Sequence, residues 1–126
     1  MMDFTPFWEP WQNALAEKHG LTCPPGWYGF ACSQGWEKLL DKAFGELKAL
    51  GWSGEIHQVK EKFGTLRMYV DKNGKEEFRE IIQRAEEESG RTCEVCGSPG
   101  TTGGKGWILT LCGDCRSKRE EERTKE

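Results

Sequence analysis

Histidine is nearly absent from this chain: His19 and His57 are the only two among 126 residues. Neither lies in an H-E-x-x-H helix, and the sequence contains no G-x-x-x-x-G-K-[ST] loop and no G-x-S-x-G elbow. An HNH-type nuclease would need histidines beside the cysteines, and none is there. Two well-placed carboxylates suffice for acid–base chemistry, but no pattern singles out such a pair. No catalytic residue is assigned, and the chain is expected not to be an enzyme. An excess of positive charge is also missing. Eighteen Lys and Arg against 21 Asp and Glu leave a net charge of −3, whereas a nucleic-acid binder usually shows a concentrated basic face. No apolar run approaches the roughly 18 residues of a membrane span. The opening "MMDFTPFWEPWQ" lacks the basic and apolar regions of a secretory leader. The expectation is a cytoplasmic protein without membrane contact, and in a reducing compartment cysteines serve metals or stay free rather than pair.

Against these absences stand six Trp, six Phe and six Cys. Each large ring buries much area, so a short chain can build a core from few anchors. "WQNALAEKHG" reads as a helix with Trp11, Ala14 and Leu15 on one face and Gly20 as its stop. "LTCPPGWYGFACSQ" is a loop that folds Trp27, Tyr28 and Phe30 onto the core. Residues 34–50 carry Trp36, Leu39, Leu40, Ala43, Phe44, Leu47 and Leu50 at helical spacing, and residues 75–89 do the same with Phe78, Ile81, Ile82 and Ala85. Gly45, costly inside a helix, suggests close packing there. Between these helices, Leu66, Met68 and Val70 alternate with Thr65, Arg67 and Tyr69, the mark of a half-buried strand. "EIHQVK" is its partner, "EKFG" the turn between them, and "DKNG" at 71–74 closes the hairpin.

The cysteines hold the most specific signal. Cys93 and Cys96 form one C-x2-C pair and Cys112 and Cys115 another, fifteen residues on, the spacing of a four-cysteine zinc site. Each pair turns two thiolates toward one point, and a hairpin between them brings all four around a tetrahedral Zn²⁺. Such a closed site leaves no position for water, so one structural ion is expected, supplying folding energy to a segment too small to fold alone. The intervening "GSPGTTGGKGWILTL" reads as a flexible tip and an apolar strand over Trp107 to Leu111, with glycine supplying turns at Gly97 and Gly113. Cys23 and Cys32 fit no metal template and read as buried or idle thiols; a second site with His19 or His57 is the weaker alternative.

The expected architecture is α+β, a small antiparallel sheet packed against two or three helices with a C-terminal zinc ribbon. Residues 1–90 form the core, 91–116 the ribbon fused to it, and 117–126 a charged tail. The stretch "KEKFGTLRMY" gathers cations and rings around a glycine. It is either an ordinary polar sheet face or a binding surface in which Lys60, Lys62, Arg67 and Tyr69 select an acidic partner. Lys105 and Trp107 at the ribbon tip are the next candidates, although Trp107 equally suits the core.

"CPPGW", "GWEKLL", "VKEKFGTLRMYV", "AEEESGRTCEVCGSPG" and "GWILTLCGDC" together resemble a group of small, largely uncharacterised proteins encoded by bacteriophages and prophages, over about Leu21 to Cys115. The resemblance implies life in a bacterial host cell and no established reaction. It raises the expectation of a protein that binds, and inhibits, a host bacterial factor such as one serving antiviral defence. Two other partners stay open. Nucleic acid would use Arg91, Lys105, Arg116, Lys118 and Arg119 and is disfavoured by the net acidity. An anionic small molecule such as a nucleotide signal would use Arg67, the lysines and the rings.

Overall fold

The structure is a computed structural model and describes residues 9–23, 29–70, 76–104 and 106–124, with side chains through 122. Phe7, Trp27, Tyr28, the turn at 71–74 and Lys105 lie outside the described residues. Helix α1 spans Pro10–His19, with proline in its first turn, where its missing N–H is not needed. Gly20, at φ 62°, ends it, and the Leu21 N–H reaches back to the Ala16 carbonyl at 3.0 Å. Trp11 and Leu15 are buried as expected, but Ala14 is exposed. Gln12 takes the inward place instead, and its amide donates to the Phe30 carbonyl and accepts from the Phe30 N–H. A side chain thereby imitates a backbone pair and holds the loop against the helix.

A 3₁₀ turn at Gln34–Trp36 leads into α2, Glu37–Ala49. All the expected apolar positions of this segment are buried except Leu50, which is partly covered. Gly45 is not at a tight contact: a Cβ there would meet only His19 Cε1 at 3.7 Å. Strands β1, Ile56–Lys62, and β2, Thr65–Val70, form the antiparallel hairpin, with Val59 opposite Met68, Lys60 opposite Arg67 and Lys62 opposite Thr65. Helix α3, Glu76–Ser89, packs on α2 and along β2. Its last residue, Ser89, is fully buried. The Ser89 hydroxyl accepts the Leu66 N–H at 2.8 Å and donates to the Glu86 carbonyl at 2.5 Å, satisfying a strand edge that no further strand covers among the described residues. Trp36, Leu40, Phe44, Leu47, Ile56, Val59 and Leu66 form the centre of the core. Phe44 stacks on Trp52 with centroids 5.9 Å apart.

The second sheet pairs β3, Thr101–Gly103, with β4, Leu109–Leu111. The apolar strand is therefore shorter than the pattern suggested, and Trp107 precedes it with 66% of its surface exposed. Helix α4 runs over Gly113–Thr124. Gly113 thus opens a helix instead of making a turn, and no backbone demand explains glycine there. The architecture is α+β, with four α-helices and two small antiparallel sheets among the described residues. No helix among them is long and apolar enough to cross a membrane.

Candidate metal centre and its joint with the core

Cys93, Cys96, Cys112 and Cys115 come together with all four sulfurs within 4.8 Å of one another. Cys96 Sγ lies 3.6 Å from Cys112 Sγ. Metal–thiolate bonds of about 2.3 Å in a tetrahedron put the sulfurs about 3.8 Å apart, so the observed spacing fits one ion with small inward shifts. The first pair sits on a turn closed by the Gly97 N–H donating to the Cys93 carbonyl at 2.9 Å, with Gly97 at φ 84°. The second pair brackets the start of α4, where the Cys115 N–H points at Cys112 Sγ at 3.4 Å.

The thiols divide unequally. Hydrogen bonds from the Ser98 hydroxyl and amide bring Cys96 down to about 6. Burial tends to raise Cys93, but the N–H groups of Cys96, Cys112 and Val95 outweigh it and hold this thiol below its ordinary value. Desolvation, followed by the neighbouring cysteine sulfurs, pushes Cys115 up to about 12. A cluster with no cation thus resists carrying four negative charges, and a bound dication supplies the missing stabilisation. The donor set fits a thiolate-preferring tetrahedral ion held by these four side chains, with no position left for a reacting water.

Several contacts fasten this centre to the rest of the chain. The Gly35 N–H donates to the Glu94 carbonyl at 2.6 Å. A Cβ at Gly35 would stand 2.2 Å from the Cys93 oxygen, so only glycine permits the approach. The Trp36 indole donates to the Thr92 carbonyl at 2.9 Å from within the core. On the other side, Thr110 Oγ1 donates to the Gly64 carbonyl at 2.6 Å, and Gly64 lies against Thr102 and Ile108. The tip of the β1–β2 hairpin is thereby seated on the β3–β4 hairpin.

That tip belongs to "KEKFGTLRMY", and the two faces of the stretch differ. Leu66 and Met68 are buried, and Glu61 turns inward to accept the Gly64 N–H at 2.7 Å. Lys60, Lys62, Arg67 and Tyr69 share the outer face by register. Tyr69 and Lys62 are exposed and Lys60 half-buried. Arg67 is engaged with Glu86 at 3.0 Å, and its Nε is buried without a partner among the described residues. Phe63, which the sequence pattern did not single out, is 65% exposed at φ 53°. With Gly64 at φ 87° it forms the two positive-φ positions of a tight hairpin turn, where Asn-Gly is the usual pair. A bulky ring in that conformation is uncommon, and Lys62 Nζ stands 5.6 Å from its centroid.

The other sequence candidates separate. Arg116 is spent inside the fold, its guanidinium donating to the carbonyls of Thr101, Gly103 and Leu109. Lys118 and Arg119 are exposed on α4. Cys23 and Cys32 are half-buried and stand outside the four-sulfur group. Burial, then Glu94 and Glu61, push the Cys32 thiol up to about 12, which makes it a poor nucleophile. His57 pairs with Glu55 and His19 with Asp41, and neither joins a metal-ligand cluster among the described residues. Glu94, whose only sequence cue is its place between two ligands, is nearly buried and accepts the Ser33 N–H at 3.0 Å. Desolvation raises its carboxyl above the ordinary range, against the pull of that amide.

No protein-family model, curated protein or solved structure matches this chain. Its functional reading therefore rests on its own residues.

Proposed function

We propose that this chain is a non-enzymatic binding protein that engages, and inhibits, a host bacterial protein, with one structural Zn²⁺ in its four-cysteine centre. The observation that supports it best is the outer face of the β1–β2 hairpin. Lys60, Lys62, Arg67 and Tyr69 lie together there, and the ring of Phe63 stands at its end. Exposed aromatic residues beside an arginine are the composition of a protein-binding surface, and lysines that form no ion pair among the described residues suit an acidic partner. The choice of a bacterial host factor, such as a component of antiviral defence, and of a cytoplasmic setting rests only on the motif resemblance read in the sequence, which no comparison supports. All-thiolate tetrahedral coordination favours zinc among common ions. Nucleic acid is the weaker reading, because Arg116 is already committed to backbone carbonyls.

The test is affinity capture from bacterial lysate, with the wild type beside a Lys60→Glu/Lys62→Glu variant. Arg67 is left intact because it holds α3 through Glu86. One host protein enriched by the wild type and lost from the variant supports the reading. Equal capture by both, or none by either, removes the hairpin face from the function.

A further inference from the structure

On the opposite side of the same hairpin lies a groove of about 420 Å³, between the core and the β3–β4 hairpin with α4. Leu109, the buried Leu111 and the exposed Trp107 line it. Glu61 and Glu94 line it too. Glu61 alternates along β1 with Lys60 and Lys62, so this groove and the lysine face point in opposite directions.

Glu94 is 8% exposed, and one of its oxygens is held by the Ser33 amide. Neither it nor Glu61 forms an ion pair with any described residue. A buried carboxylate without a counter-ion is expensive and rare in folded proteins. Lys118, Arg119 and Glu122 line the same groove, and neither cation forms a salt bridge with Glu61 or Glu94. Cys115, one of the four clustered thiols, borders the same space.

We infer that this groove is a binding site for an arginine side chain presented by a polypeptide. The guanidinium would meet Glu61 and Glu94 with its planar fork. Its aliphatic stem would cover Leu109 and Leu111, and its plane suits the face of Trp107. Lysine would match the charge but neither the fork nor the ring. The site goes beyond the partner reading of the hairpin face and stands or falls separately from it.

The test uses the full chain loaded with metal and two small probes, N-acetyl-L-arginine amide and its neutral isostere N-acetyl-L-citrulline amide. Binding is followed by the indole N–H resonance of Trp107. The arginine probe is expected to shift this resonance with at least tenfold higher affinity than the citrulline probe. Glu61→Gln, which keeps an acceptor for the Gly64 N–H, is expected to weaken the arginine probe about threefold or more. Glu61→Gln/Glu94→Gln should abolish the preference while metal stoichiometry stays at one. Equal affinity for the two probes overturns the inference. So does an arginine probe that leaves Trp107 unmoved, or one that binds the folded double variant as well as the wild type. None of these results depends on capture by the Lys60 and Lys62 face.

Discussion

The two ends of this chain are held by different forces. Residues up to Ser89 enclose a continuous cluster of rings and aliphatic side chains, with Trp36, Leu40, Phe44, Leu47 and Ile56 wholly removed from water. Beyond Ser89 the buried apolar side chains among the described residues are Cys93 and Leu111, beside Glu94 and Thr110. At roughly 25 cal/mol per Å² of apolar area, the first region holds itself together by burial and the second cannot. The second depends on what sits among its four sulfurs and on a few polar contacts that carry it against the first. In this chain four clustered thiols that could hold a metal stand where a core would be, and glycine and threonine substitute for an interface.

Three perturbations probe that contrast. The largest effect should come from removing the metal. Structural zinc contributes on the order of 10 kcal/mol or more to small metal-folded segments. A strong chelator is therefore expected to erase hydrogen-exchange protection over residues 92–112 while protection in α2 and α3 survives. Simultaneous loss in both regions would mean that they form one cooperative unit. Next comes Gly35→Ala, whose Cβ cannot coexist with the Cys93 and Glu94 carbonyls. Overpacking of this kind costs about 1–3 kcal/mol or more. The loss should appear first as exposure of residues 92–97, with the α2 and α3 amides less affected. If α2 melts first, the joint supports the core and not the reverse. The smallest effect is a gain. Gly45→Ala meets no obstacle nearer than 3.7 Å and should add about 1 kcal/mol by helix propensity. The urea midpoint would rise with an unchanged slope. A lowered midpoint would show that glycine is needed there after all.

Much of the core was readable from order alone. Apolar residues recurring at helical spacing in 34–50 and 75–89, and at alternate positions in 65–70, have few ways to leave water, and they took the expected ones. The four sulfurs were readable because C-x2-C spacing encodes a local turn. The contacts between the two regions were not readable. Ser33 meets Glu94 across 61 positions and Thr110 meets Gly64 across 46, and no local pattern announces such a pair. Gln12 and Ser89 were hidden for a related reason, since a polar residue turned inward looks in sequence like one turned outward. Trp107 misled because an aromatic beside an apolar run resembles a strand residue, yet β4 starts two positions later. Phe63 escaped notice because "EKFG" was read as a turn without a place for each residue, whereas the tight loop takes positive φ at both Phe63 and Gly64.

The conformation of Phe63 bears on how this protein can change over generations. Asparagine or glycine would adopt φ 53° more easily, so a steadier hairpin lies one substitution away. A lineage pressed only for a robust fold would drift toward that substitution. A lineage that holds the ring in place forgoes the easier turn for as long as something outside the chain rewards it.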